Sequence, residues 1–342
     1  MRQSGDALGI AGIVLLAAGI LSFVLSLWLK PVLSRFAVAK PNLRSSHKTP
    51  TPQGGGIAVI AATIVVFAIT AIFSSIPINE SWRLAVVFVS VIGLTVIGIT
   101  DDIRSIAPLP RLLLQAIAVV AVVASLPDDL RVLVVLPWWL ERALLFVAML
   151  WFVNLVNFMD GIDWMTVAEV VPLLAGLSLF GLMGALPEHA TLVAIAICGA
   201  MVGFAPFNRP VARLFLGDAG SLPIGLLLGW LLILLAGRGH LAAALILPLY
   251  YLADTTITLL YRLINREPVM QAHRGHFYQQ AIGGKFSVYE VIGRVFALNI
   301  ILIGLATATV ITKSITLHIM MLAASSTIVG ILLWNFRYAH RG

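Results

Sequence analysis

Long apolar runs, each closed by a short polar segment, recur from one end of this chain to the other. Runs of about 17–23 residues match the thickness of a bilayer's hydrocarbon core and predict about eleven membrane-spanning helices. Their bounds fall roughly at 8–29, 56–74, 83–100, 109–126, 138–157, 165–183, 190–206, 221–236, 240–260, 288–310 and 315–335. The first run is too long for the apolar core of a signal peptide and lacks a small-residue cleavage site before the basic loop, so it reads as a retained span. The expected fold is all-α and polytopic, one integral-membrane domain over 1–342 without tandem repeats or a long soluble insertion.

Composition agrees. Charged residues make up 11% of the 342 positions, where a soluble domain carries about 25%. The net charge of +7 would suggest nucleic acid in a soluble protein, but here the cations sit in short loops. One alternating set of loops (30–55, 101–108, 158–164, 207–220, 261–287 and the C-terminus), with the adjoining helix ends, holds 16 of the 22 Lys and Arg residues. The positive-inside rule makes that set cytoplasmic, with the N-terminus outside and the C-terminus inside. The lone Cys198 lies in an apolar run and reads as a small buried hydrophobe.

That assignment uses no acidic residue, yet Asp101, Asp102, Asp160, Asp163, Asp218 and Asp254 all fall on or near the same face. Ionisable groups at such depth are costly and usually face a protein interior or a water-filled cavity. In NLVNFMDGID, Asn154, Asn157 and Asp160 step by three residues and share one helical face, with Asp163 following after Gly161. The adjacent Asp101 and Asp102 repel each other, which favours a bound cation or one raised pKa. Asp218, in Gly-Asp-Ala-Gly-Ser, is offered as a metal ligand beside free amides at a helix start. In RSSHKTPTPQGGG, Gly54–Gly56 either let backbone amides approach an anion or let helices pack closely, and Lys48 and Thr51 are candidates for phosphate contact. Asn208 is a further candidate for substrate contact, whereas Arg209 and Arg213 suffice as topology anchors. Asp254 is as well explained by a structural partner as by catalysis. His273 and His276 flank Arg274; without Cys or a nearby Glu they read as a diphosphate or nucleotide contact rather than a zinc site.

In this order, HKTPTPQGGG, the Asp101–Asp102 pair, NxxNFMDGID, FLGDAGS and HRGHF resemble the polyprenyl-phosphate N-acetylhexosamine-1-phosphate transferase superfamily, glycosyltransferase family 4, over Asn42 to Gln279. The resemblance implies transfer of an N-acetylhexosamine-1-phosphate from a UDP-sugar to undecaprenyl (polyprenyl) phosphate, with release of UMP and a requirement for Mg²⁺, for which Mn²⁺ is a candidate substitute. It implies catalytic roles for Asp101, Asp102, Asp160 and Asp163 and metal ligation by Asp218 with Asp160. It puts Lys48, Thr51, Asn154, Asn157, Asn208, His273, Arg274 and His276 on the substrates. Two departures stand out: Trp164 follows the second Asp where the family often has Gly, and HRGHF replaces consecutive histidines. The second points away from phospho-MurNAc-pentapeptide transfer in peptidoglycan synthesis, the alternative within the class, and toward O-antigen and lipopolysaccharide synthesis. The expected location is a bacterial inner membrane, with the site on its cytoplasmic face.

Direct attack by the lipid phosphate and an aspartyl-phosphate intermediate both stay open, as do the individual acids' roles, the sugar and a homodimer. The alternative from another class is a transporter of an anionic or lipid-linked substrate, which would place its charges nearer the midplane.

Overall fold

The computed structural model describes residues 2–39, 50–73, 78–268 and 273–338. Lys48, in the segment 40–49, lies outside the described residues. Helix α8 (Asp218–Leu235) is the centre of the bundle, and from Ala219 to Leu235 every residue is buried. A helix apolar on all sides has no solvent face and belongs inside. Around it pack α2 (Gly56–Phe73), α3 (Ile78–Ile103) and α5 (Trp138–Met159). Helices α1 (Arg2–Phe36), α4 (Pro108–Ser125), α6 (Met165–Leu182) and α7 (Glu188–Asn208) extend the bundle outward, with α1 laid along α7. Trp28, Phe73, Val89 and Ile117 expose large apolar side chains; lipid tails, as apolar as these side chains, make that exposure cheap.

Small residues set how closely the central helices approach. A Cβ on Gly98 of α3 would stand 2.3 Å from the Asp218 carbonyl, and one on Gly56 of α2 would stand 2.0 Å from Gly220 Cα. A Cβ on Gly225 would come within 2.9 Å of Val153 Cα in α5. Backbones at such separations admit no side chain, so α2, α3 and α5 clamp α8 along its length. Helix α3 carries Asp101–Asp102 in its last turn, α5 stops one residue before Asp160, and α8 starts on Asp218. The clamp therefore gathers those acids at one end of the bundle.

Among the described residues, ten helices are long and apolar enough to span a membrane, one fewer than expected. The difference lies at 240–260. Helix α8 runs through a π-helical turn, Ala236–His240, into α9 (Leu241–Ile246), and α10 follows as Leu249–Ile264. Gly239 adopts φ 89°, and Pro248 has no N–H to continue α9, so this segment forms two short helices rather than one uninterrupted span. The chain closes with α11 (Phe277–Gly283), α12 (Val288–Ile311) and α13 (Ile315–Arg337). Besides the helices, the described residues hold one antiparallel ribbon, with Val38 opposite Pro52 and Ala39 opposite Thr51.

Candidate active site

Asp102 reaches from the end of α3 to the start of α8. Its Oδ1 accepts the Asp218 N–H at 3.0 Å and its Oδ2 the Ala219 N–H at 3.2 Å. The first amides of a helix have no partner within it, and a carboxylate there also meets the positive end of the helix dipole. The amides expected to be free for phosphate are thus occupied by Asp102. Gly217 makes the cap possible: it takes φ 73°, and a Cβ there would lie 2.5 Å from Asp102 Oδ2. Gln53 Nε2 donates to the Asp102 carbonyl at 2.6 Å and ties the glycine loop to the same corner.

The glycines of that loop serve packing. Gly55 N donates to the Phe215 carbonyl and Gly56 N to the Leu216 carbonyl, both at 2.9 Å. Of the two readings open for Gly54–Gly56, close helix approach is the one realised at Gly55 and Gly56. Thr51, buried in the ribbon, stands beside this corner.

Asp101 and Asp218 meet across one arginine. Arg111 Nη1, one turn into α4, lies 2.9 Å from Asp101 Oδ2 and 2.9 Å from Asp218 Oδ2. The other oxygens are held separately: Asp101 Oδ1 accepts the Ile106 N–H at 2.5 Å, and Asp218 Oδ1 accepts from Asn157 Nδ2 at 2.8 Å. Asn157 Nδ2 also reaches Ser221 Oγ at 2.9 Å. Asn157 therefore joins the site as expected, while Asn154 turns its amide to its own helix, donating to the Leu150 carbonyl at 2.9 Å. Sequence reasoning passed over Arg111, which looks like any base at a membrane interface.

Asp160 follows α5 and accepts the Thr166 hydroxyl at 2.5 Å. Burial pushes its carboxyl up to about 7; the Thr166 bond opposes this, and the charges of Asp218 and Asp163 add to it. Asp160 and Asp218 thus feel each other electrostatically. Asp163 Oδ2 accepts the Ala212 N–H at 2.8 Å and fastens the turn to the loop before α8. Trp164 takes the left-handed conformation, φ 63° and ψ 1°, which glycine adopts without penalty. Its N–H donates to Asn208 Oδ1 at 2.8 Å, and its indole Nε1 donates to the Ala205 carbonyl at 2.6 Å. Asn208 in turn donates to the Leu214 carbonyl at 3.2 Å. These bonds hold a tryptophan in glycine's conformation and assign Asn208 a brace between two loops.

The histidine loop hangs from Asp254, which is fully buried in α10. Asp254 Oδ1 accepts the Phe277 N–H at 3.1 Å and lies 3.1 Å from His276 Nδ1, while Oδ2 accepts the Tyr278 N–H and the Tyr250 hydroxyl, each at 3.3 Å. This caps α11 as Asp102 caps α8. His273 stacks on His276 with ring centroids 4.9 Å apart. Burial, then the neighbouring His276 and Arg262, hold His273 down to about 4, so it is neutral at physiological pH. Arg274 between them is exposed. Tyr278 OH donates to the Phe158 carbonyl at 3.3 Å and would touch any Cβ on Gly161, so the loop docks on the turn that carries Asp160.

Among the described residues, no three or more His, Cys, Asp or Glu side chains converge on one metal position. Mg²⁺, however, is usually held by one or two carboxylates plus substrate phosphates and waters. Asp101 Oδ2 and Asp218 Oδ2, already joined through a single cationic nitrogen, fit that pattern.

Residues 84–236 match the model of glycosyl transferase family 4, an interval that contains Asp101, Asp102, Asp160, Asp163 and Asp218. Over that interval the chain is similar to the glycosyl transferase family 4 enzymes, and its relatives point to the polyprenyl-phosphate N-acetylhexosamine-1-phosphate transferases. Its relatives include a Bacillus subtilis protein named probable undecaprenyl-phosphate N-acetylglucosaminyl 1-phosphate transferase, 22% identical over 86% of this chain and 86% of the relative. A Mycolicibacterium smegmatis decaprenyl-phosphate N-acetylglucosaminephosphotransferase is 27% identical over 63% of this chain, which spans 57% of that relative. A Limosilactobacillus reuteri phospho-N-acetylmuramoyl-pentapeptide-transferase is 27% identical over 70% of this chain and 79% of the relative. The acids that α3, α5 and α8 bring to one end of the bundle all lie within the matched interval.

Proposed function

We propose that this protein transfers an N-acetylhexosamine-1-phosphate from a UDP-sugar to undecaprenyl phosphate in the synthesis of a cell-envelope glycan. The observation that carries this reading is the paired approach of Asp101 and Asp218 to one cation position, in a chain similar to this superfamily. The site faces the cytoplasm by the distribution of Lys and Arg, and the membrane is a bacterial inner membrane.

The lipid phosphate, with a second pKa of about 6, is mostly dianionic at neutral pH and needs little help from a base. Its oxygen attacks the β-phosphorus of the UDP-sugar. The new oxygen–phosphorus bond joins lipid and sugar phosphates, and the bond to the bridging oxygen breaks to leave UMP. Asp101 and Asp218 would hold Mg²⁺, which neutralises diphosphate charge and stabilises the leaving phosphate. Asp160, kept in place by Thr166, orients the reacting phosphates from the side of the α5 turn. His273, neutral, and Arg274 reach the donor from the docked histidine loop. Asp102, engaged with two backbone amides, positions Asp218 and does not act as the base.

A panel of UDP-sugars with undecaprenyl phosphate and Mg²⁺ tests this, with nucleotide products resolved. UMP together with a lipid-linked diphospho-sugar is expected. UDP in place of UMP would mean ordinary glycosyl transfer and reject the reading. The panel also decides between N-acetylglucosamine, a 6-deoxy-N-acetylhexosamine for O-antigen, and the MurNAc-pentapeptide donor named for some relatives.

A further inference from the structure

Asp101 and Asp218 each have one carboxylate oxygen tied into the scaffold. Asp101 Oδ1 is bonded to the Ile106 amide and Asp218 Oδ1 to the Asn157 side chain. Each also has one oxygen turned to a cation, and for both that cation is the same nitrogen, Arg111 Nη1 at 2.9 Å. These two Oδ2 atoms are also the pair that a divalent ion would take. Mg²⁺ binds oxygen at about 2.0–2.1 Å, shorter than any hydrogen bond, so ion and guanidinium cannot occupy that place together.

The arginine is built into the spot. It lies one turn into α4, whose start is set by Pro108 and Pro110. The loop leading to α4 is fastened by the Ile106 amide to Asp101 itself. A competing anion can draw Arg111 off these carboxylates. The guanidinium's planar fork matches phosphate oxygens in pairs, and such bonds are as strong as those to carboxylates. A diphosphate arriving beside Asp218 offers Arg111 new partners while supplying the remaining oxygens that the metal needs.

We propose that Arg111 is the resident counter-ion of the metal seat, exchanging the carboxylates for the diphosphate when a metal–diphosphate complex binds. The proposal rests on the reading that Asp101 and Asp218 seat a metal beside a nucleoside diphosphate. It has two consequences of opposite sign. Without a diphosphate, Arg111 competes with the metal and weakens its binding; with one, Arg111 grips the diphosphate and strengthens the ternary complex. A merely structural arginine would produce only losses when removed.

The test is Mn²⁺ binding to the purified full chain in detergent, followed by the spin resonance of free Mn²⁺, with and without UDP. Arg111→Met, or Arg111→Gln if the first does not survive purification, is expected to bind Mn²⁺ at least tenfold more tightly than wild type without UDP. UDP should tighten Mn²⁺ binding at least tenfold in wild type and less than threefold in the variant. Arg111→Lys keeps the charge and should bind Mn²⁺ without UDP as weakly as wild type. Affinity in Arg111→Met no greater than wild type, with binding still lost in Asp218→Asn, would overturn the arginine's part alone. Tight binding that survived Asp218→Asn would overturn the seat as well. The titration needs no turnover, so a failure to release UMP would count against the proposed function without deciding this result.

Discussion

Replacing Asp102 with alanine removes the acceptor for two amides at the start of α8, bonded at 3.0 and 3.2 Å. The Ala219 and Gly217 positions around them are packed against α2 and α3, so water has little room to replace the carboxylate. Each buried donor left without a partner costs about 1–3 kcal/mol, which puts Asp102→Ala at about 2–6 kcal/mol. Asp102→Asn keeps one acceptor oxygen and sets an amide N–H₂ against the second helix-start donor, for about 1–3 kcal/mol. Thermal unfolding in detergent, read by circular dichroism, should show a loss of several degrees for Asn and a larger one for Ala. Because α8 begins on Asp218, loosening the cap moves that carboxylate. A misplacement of about 1 Å costs about 10²-fold in rate, so Asp102→Asn should lose activity and stability together. A reacting group behaves differently: its amide variant folds at full stability and is inactive. If Asp102→Asn melted within a degree of wild type and had no measurable activity, the cap argument would be wrong and Asp102 would belong to the chemistry.

Asn208→Ala strands the Trp164 amide and the Leu214 carbonyl, at about 1–3 kcal/mol each; a melting temperature equal to wild type would remove Asn208 from its bracing role. The Asp160 carboxyl is raised to about 7 from about 3.9 in the unfolded chain. The folded protein therefore binds that proton more strongly, and stability from this group is full below about pH 4 and drains away as the pH rises to about 7. In EDTA, the melting temperature of wild type relative to Asp160→Asn should fall between about pH 4 and 7 and level off above, and a flat difference would refute the shift. Gly220→Leu forces side-chain atoms where Gly56 Cα now stands; overpacking of about 1–3 kcal/mol should part α2 from α8, and unchanged melting and activity would refute the close contact.

The gathering of Asp101, Asp160 and Asp218 was legible in the sequence because each sits where an apolar run ends, and alternation of spans puts those ends on one side. Their separate duties were not. Neighbouring carboxylates at 101 and 102 look alike in sequence, yet one faces Arg111 and the other caps a helix that begins over a hundred residues later. That distinction is made by the approach of α3 to α8 at Gly98, a long-range fact with no local signature. Gly54–Gly56 fitted an anion cradle and a packing contact equally well until the Gly55 and Gly56 amides met the Phe215 and Leu216 carbonyls. Trp164 was visible as a departure, but its left-handed backbone could be held only by partners at Asn208 and Ala205. The missing eleventh uninterrupted span had a visible cause in Gly239 and Pro248, which hydropathy averaging hides.

The central claim is that this cluster of acids moves a sugar together with its phosphate. Undecaprenyl phosphate and UDP-N-acetylglucosamine labelled with ³²P at the β-phosphate, incubated with the purified protein and Mg²⁺, test it directly. The label should pass into the organic phase on the lipid, leaving unlabelled UMP in water, and Asp218→Asn should abolish the transfer. Label recovered in water as UDP while the sugar alone reached the lipid would contradict the account.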